Sequence, residues 1–280
     1  MANRFDFTLD TVEASILGRA MDVDVRQFPL RIGNTTLDPV RYARLGKQVY
    51  LAMEERGLSV SGELHSQVRL AFELLGRHHL SVAVSGTDKR TGDIALLAVT
   101  DGAQALLIAQ LDEENVLRWV LFPDDELVDV LVSALPQTPA APGGPLTVRQ
   151  EATRELSAMA ARRQAEEEFD EEETEAFGSL QVGELVEPGT APRGFRANDE
   201  ELLTEVLSAP RLGGGYFVAT GRTRHGERRT GTPLTWLDTE DGRYLVETST
   251  DQSGTMTARY SPATSAQTAG AVQRLISEVY

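Results

Sequence analysis

The residue types that most often carry chemistry are sparse. The histidines are His65, His78, His79 and His225, and cysteine is absent. Thiol nucleophiles, disulfides and cysteine-ligated zinc are therefore excluded. His78 and His79 are adjacent, between a helix end and a strand. Neighbouring strand residues point to opposite faces, so the pair cannot chelate one ion there, and a capping or turn role fits better. No His-Glu-x-x-His spacing or other metal-ligand pattern occurs. Gly213–Gly214–Gly215 precedes a strand instead of opening a helix, which rules out the phosphate-binding turn of a nucleotide fold. There is no Gly-x-Ser-x-Gly elbow and no phosphate-loop lysine motif. The carboxylate run Glu166–Glu175 lacks the alternating ligands and central glycine of a calcium loop, so it reads as a solvated acidic segment. A hydrolase built on these acids would need a deep pocket lined by paired carboxylates. The expectation is a binding protein with no catalytic residues, metal or cofactor.

Two basic clusters stand out against this background. One is Thr87, Asp88, Lys89, Arg90 and Thr91, within the stretch Gly86–Gly92; the other is Arg222, Arg224, Arg228 and Arg229. Both fall in expected hairpin loops, and loops whose bases are fixed by a sheet are common recognition elements. They are the candidate partner-binding residues. Solvated hairpin tips, or tips paired with the acidic segment of the same chain, are the alternative.

The chain has 280 residues and a formal charge of −16, and ten acidic residues with no basic ones fall within Gln164–Glu187. Such acidity repels phosphate backbones and argues against nucleic acid as a partner. Hydrophobic residues make up 41% and charged residues 25%, a globular mix. No apolar run approaches the roughly 18–20 residues of a membrane span. Met1–Asp6 shows no secretory signal pattern, so a soluble cytoplasmic protein is expected.

The elements that would position the loops follow from periodicity. Asp10 and Glu13 have capping-box spacing ahead of a helix carrying Val12, Ile16, Leu17, Ala20 and Met21. Phe28–Ile32 reads as a short edge strand. Asp38–Pro39 opens a second helix, with Gly57 as its stop. A third helix carries Leu64, Val68, Ala71, Phe72 and Leu75. Four strand-like runs follow, Leu80–Ser85, Asp93–Thr100, Ala103–Leu111 and Val116–Phe122, then a helix opened by Pro123. Asp101–Gly102 between two of these runs is a strong hairpin signal. The order recurs from Asn198: a helix, the runs Tyr216–Arg222, Thr230–Asp238, Arg243–Ser249 and Thr255–Tyr260, and a helix opened at Ser261–Pro262. Two copies suggest a pseudo-twofold duplication, not a solenoid.

The fold class expected is α+β, two helix–antiparallel-meander–helix halves forming central sheets flanked by helices. The N-terminal half spans 1–135 and the C-terminal half 198–280. Between them, 136–197 holds a Pro/Gly/Ala linker, a helix opened by a Thr147–Gln150 capping box, and the acidic segment. Ile94–Val99 and Ala105–Ile108 are apolar on both faces, which requires cover on both. Tyr216, Val218, Thr220 and Arg222 alternate with Phe217, Ala219 and Gly221, leaving one face wet or open to a partner.

Several of these strings, in order, resemble the EspG family of ESX (type VII) secretion-associated chaperones of actinobacteria. They are Phe5–Leu9, Ala52–Leu58, Ile94–Val99, Gly215–Arg222, Pro233–Thr239 and Gly242–Tyr244, spread over almost the whole chain. The resemblance implies a mixed fold of quasi-twofold symmetry and cytosolic binding of a helical, PE–PPE-like export substrate that is kept soluble before secretion. It implies no catalytic residue. In the family, the loop between the second and third strands and a C-terminal helical region touch the substrate. With Phe28–Ile32 counted as the first strand, that loop is Gly86–Gly92. No family role attaches to Glu166–Glu175. The alternative function is a self-associating or regulatory interaction module, forming a weak homodimer.

Overall fold

The computed structural model describes residues 4–33, 38–111, 115–150, 209–222, 226–250 and 256–279. Arg224, His225, the run Glu166–Glu175 and the expected helix at Asn198 lie outside the described residues. The chain divides into two compact units: Met1–Gly143 with Pro210–Leu245 and Pro262–Tyr280, and Gly144–Ala209 with Val246–Ser261.

The first unit opens with strand β1 (Phe5–Asp10), whose alternation buries Phe7 and Leu9. Helix α1 (Thr11–Ala20) follows at once. Its expected capping box is present: the Glu13 amide donates to Asp10 Oδ1 at 2.7 Å and the Asp10 amide to Glu13 Oε2 at 3.0 Å. Such a cap stabilises a helix by about 1 kcal/mol. Helix α2 (Pro39–Glu55) has Asp38 as N-cap and Pro39 in its first turn, and Gly57 takes a φ of +69° just beyond it. A two-residue hairpin, β2 (Ser59–Val60) and β3 (Glu63–Leu64), then leads into α3 (Ser66–Arg77). Leu64, expected on the third helix, belongs to this hairpin.

Phe28–Ile32 is not a strand. The Leu30 amide bonds back to the Gln27 carbonyl at 2.9 Å. The Gln110 side chain satisfies the Arg31 peptide, accepting from its amide at 2.6 Å and donating to its carbonyl at 3.0 Å. A single side chain thus supplies what a neighbouring strand would have supplied. Leu30 and Ile32 are still buried, so the apolar spacing reports packing and not pairing.

The first meander comprises β4 (Leu80–Asp88), β5 (Gly92–Thr100), β6 (Gln104–Leu111) and β7 (Val116–Pro123). A 3-10 turn (Asp124–Glu126) and helix α4 (Leu127–Ser133) close it. Strand β8 (Leu146–Gln150) comes next, where a helix was expected from Thr147. The second meander holds β9 (Arg211–Arg222), β10 (Arg228–Thr230), β11 (Leu234–Thr239), β12 (Gly242–Thr250) and β13 (Met256–Pro262). The run read as Thr230–Asp238 is thus two strands broken at Gly231–Thr232–Pro233. The last helix, α5 (Ser265–Ser277), starts later than Ser261–Pro262, because Thr264 and Gln267 form the capping box.

Within the first unit the strand order is β1-β7-β6-β5-β4-β9-β11, with β10 also beside β9. The first strands of the two meanders are antiparallel neighbours, from Leu80↔Gly221 to Asp88↔Gly213. The closing helices α4 and α5 pack on each other. Like strand beside like strand, run antiparallel, and like helix against like helix is what a twofold between β4 and β9 produces. Gly86 and Gly215 face each other at this junction. A Cβ on Gly215 would lie 2.3 Å from the Ser85 carbonyl oxygen and 2.4 Å from the Trp236 ring. Glycine is needed there because the fully buried indole lies against both strands.

One sheet face carries Val82, Val84, Leu96, Leu107, Phe122, Phe217 and Trp236 and packs on α4 and α5. The other carries Leu97, Val99, Leu106, Ile108 and Trp119 and packs on Leu17, Met53 and Phe72 from α1, α2 and α3. The strands expected to be apolar on both faces are therefore covered on both.

In the second unit β13 pairs antiparallel with β8, from Met256↔Gln150 to Tyr260↔Leu146. Leu146 and Tyr260, opposite each other, are buried. The capping spacing of Thr147 and Gln150 is overridden by a partner strand more than a hundred residues on.

Candidate partner-binding hairpins

The first basic cluster is a tighter turn than its sequence suggests. β4 runs to Asp88 and β5 starts at Gly92, so only Lys89, Arg90 and Thr91 lie outside the ladder. Asp88, 3% exposed, organises them. Its carboxylate accepts from the amides of Arg90 (2.9 Å) and Thr91 (3.2 Å), the Thr91 hydroxyl (3.4 Å) and the Arg90 guanidinium (3.2 and 3.3 Å). Gly92 supplies the φ of +80° that ends the turn. The Lys89 amide donates to the Leu212 carbonyl at 2.8 Å, tying the tip to the start of β9. Arg90 is thereby committed to its own turn, whereas the Lys89 and Thr87 side chains are exposed.

Burial alone would raise the Asp88 pKa, but the hydrogen bonds and charge of Arg90 and the Thr91 amide outweigh it and hold the carboxyl below its ordinary range. A group with a depressed folded pKa contributes stability above its unfolded value and loses it as pH falls through the folded one. Asp88→Asn should therefore cost about 1–2 kcal/mol at neutral pH. Its deficit against the parent should shrink as both are acidified below about pH 4. Urea melts at pH 7 and pH 3 check this.

Next to this turn, on the face of Thr87, Tyr216 lies opposite Ser85, its register partner, and stacks on Phe28 with ring centroids 6.3 Å apart. Burial pushes the Tyr216 pKa up. Phe28 is 39% exposed. Tyr216 shows in the sequence only as one member of an alternating strand; its aromatic partner comes from a loop that the strand reading of Phe28–Ile32 had misplaced. Phe217 and Ala219, alternating with it, are fully buried, and Arg222 is exposed; Val218 is buried on the otherwise wetter face.

The second cluster sits on β9 and β10. Arg222 is the register partner of Arg228, and Arg229 that of Gly221. All three arginines are exposed. The Arg222 amide donates to the His79 carbonyl at 2.9 Å, beside the start of β4. The two clusters are therefore at opposite ends of the β4–β9 ladder. Asp88 pairs with Gly213 and Leu80 with Gly221, a separation of roughly 27 Å at about 3.4 Å per residue. Thr87, Asp88, Lys89, Arg90 and Thr91 are brought together; Arg222, Arg228 and Arg229 are not brought to them.

His65 and His78 take structural positions. His65 caps α3, accepting from the Gln67 amide at 3.2 Å, and stacks on Phe5. His78 Nδ1 lies 3.0 Å from the Leu75 carbonyl oxygen. Its pKa is lowered first by burial and further by the charges of Arg222 and Arg228. No group of three or more His, Asp or Glu side chains suited to a metal occurs among the described residues. Among them, too, no helix is long and apolar enough to cross a membrane.

A buried ion pair escaped the sequence reading altogether. Arg243 and Asp238 are 2% and 1% exposed and join through two bonds of 2.7 Å. Arg243 also donates to the Pro136 carbonyl at 2.9 Å, and Thr138 donates to Asp238 at 3.2 Å. The Arg243 peptide exchanges bonds with Pro139 and Ala141. The Pro/Ala stretch after α4 is thus held against β12, where Gly242 leaves no room for a Cβ beside Ala140 and Ala141.

Among solved structures, the chain is similar to EspG5, a type VII secretion system chaperone of Mycobacterium tuberculosis determined in complex with a PE25–PPE41 dimer. The TM-score is 0.61 at 15% identity, over 99% of this chain and 97% of that one. At that identity the likeness establishes a shared fold. The full-length peroxisomal multifunctional enzyme type 2 of Drosophila melanogaster aligns at a TM-score of only 0.16, with 12% identity, over 94% of this chain and 48% of that one, and carries no argument. No curated protein sequence matches the chain. The EspG family model matches residues 10–274. With nearly the whole chain inside that match, the protein belongs to the EspG family.

Proposed function

We propose that this protein is a cytosolic chaperone of a type VII secretion system, which binds a helical PE–PPE-like substrate and keeps it soluble before export. The observation that carries the proposal is the family match over residues 10–274, together with a fold shared with a chaperone determined on a PE–PPE dimer. The role is binding, not catalysis. A preformed sheet and helix surface covers the apolar tip of a helical partner, and a rigid surface keeps the ordering cost low.

The end of the sheet that carries Lys89 is the proposed contact. β1 takes the place given to Phe28–Ile32 in the strand count, so Lys89–Thr91 is still the connection between the second and third strands of the main sheet. Thr87 and Lys89 are exposed there, and Tyr216 with Phe28 supplies an aromatic surface of the kind that anchors interfaces. Arg90 is held by Asp88, so its replacement disturbs the turn; Lys89→Glu is the cleaner probe.

Co-expression with each PE–PPE-like pair of the same organism tests the proposal. A cognate pair that precipitates alone should become soluble and co-purify. Lys89→Glu should lower the affinity about tenfold, the scale of a rim charge reversed, mostly through slower association at low salt. Arg228→Glu should leave it unchanged, because that residue sits at the far end of the ladder. Equal losses from both would remove the hairpin from the interface.

A further inference from the structure

The far end of the ladder has an electrostatic anomaly that substrate binding at Lys89 does not use. Arg222 and Arg228 are direct register partners on β9 and β10. Like charges directly opposite on antiparallel strands repel, with Cβ atoms about 5 Å apart. Elsewhere Arg56, Arg90, Arg118 and Arg243 each hold a carboxylate. Among the described residues Arg222 and Arg228 hold none.

Arg229 is different. It shares the face of Gly221, where a Cβ would meet the Val279 carbonyl oxygen at 2.3 Å, so it lies towards the C-terminal end of α5. Carbonyl ends of helices favour cations, and Glu278 is close by, its carboxylate 3.4 Å from the Cβ position of Gly231. Arg222 and Arg228 point to the opposite face, towards His78. Other acids at this end include Glu227, Asp101 and Asp124, the last accepting from the Thr100 hydroxyl at 2.5 Å. Asp101 is engaged by the Ala103 and Gln104 amides of its own turn, at 2.9 and 3.0 Å.

We infer that the Arg222–Arg228 pair, beside His78, is a docking site for a carboxylate-rich peptide segment of a partner protein, separate from the substrate hairpin. Two guanidinium forks on one face present parallel donors to carboxylates, and an anion between them converts the cross-strand repulsion into attraction. A compact acidic peptide fits better than a membrane or nucleic acid. The chain as a whole carries a charge of −16, so any extended polyanion is repelled beyond the patch. The inference does not depend on the substrate reading.

The test is fluorescence anisotropy of a labelled octa-glutamate peptide against the full chain at 50 mM and 200 mM salt. Binding should weaken with salt and fall at least tenfold in Arg222→Gln/Arg228→Gln, with Lys89→Gln within twofold of the parent. The double variant should also melt no lower than the parent, since it removes a repulsion; a merely structural pair would lower it. Retained affinity in the double variant, or an equal loss in Lys89→Gln, overturns the site. Peptide binding that appears only after Glu166–Glu173 are neutralised would place the chain's own acidic run on the patch and overturn the partner. Sedimentation with phosphatidylserine vesicles that depends on Arg222 and Arg228 would overturn it in favour of a membrane.

Discussion

Arg243→Ala should destabilise the protein by about 3–5 kcal/mol, the scale for removing one partner of a buried ion pair. Asp238 would be left buried at 1% exposure without its cation, and among the described residues only the Thr138 hydroxyl would still donate to its carboxylate. The Pro136 carbonyl would lose its donor, and with it a side-chain tie between the stretch after α4 and β12. The double variant Asp238→Leu/Arg243→Met should cost much less than the sum of the single changes, because two well-packed apolar groups bury no orphan charge. Urea denaturation of the four proteins in the cycle checks this. Near-additive losses would mean that the pair is not coupled as its geometry implies.

The second large effect is at the twofold junction. Gly215→Ala should cost about 3 kcal/mol, at the upper end of overpacking penalties. The new methyl would meet the Ser85 carbonyl oxygen at 2.3 Å, the Gly86 Cα at 2.6 Å and the Trp236 ring at 2.4 Å. Two of these contacts are backbone, so no rotamer change relieves them, and the β4–β9 ladder must open. Trp236→Phe should not rescue the variant, because the Ser85 clash persists. Gly144→Ala, with nothing within 4 Å of the added Cβ, is the matched control and should be close to neutral. Thermal or urea melts separate the outcomes.

Local signals carried far into this fold. The Asp10–Glu13 box, the Asp38–Pro39 start and the four runs of the first meander are short-range patterns, and each sets its element within a few residues. What stayed hidden depends on partners distant in sequence. Phe28–Ile32 alternates like a strand, yet its peptide is satisfied by Gln110, 79 positions on. Thr147–Gln150 has a helix start's spacing, yet Met256–Tyr260 claims it for a sheet. The basic hairpins were visible as clusters of charge. That they stand at opposite ends follows only from the β4–β9 register, which periodicity cannot supply. Asp238 and Arg243 are ordinary charged residues in the sequence, and only burial makes them a pair.

The central claim is that this EspG-family protein holds a PE–PPE-like substrate as a defined complex. Size-exclusion chromatography with light scattering tests it most directly, on the purified chain mixed with each purified PE–PPE-like pair of its own organism. The account predicts one pair that elutes with the chain as a single species of one chaperone, one PE and one PPE, and a shift back towards free components with Lys89→Glu. Elution of the chain by itself beside every soluble pair, as monomer or as homodimer, would contradict the account.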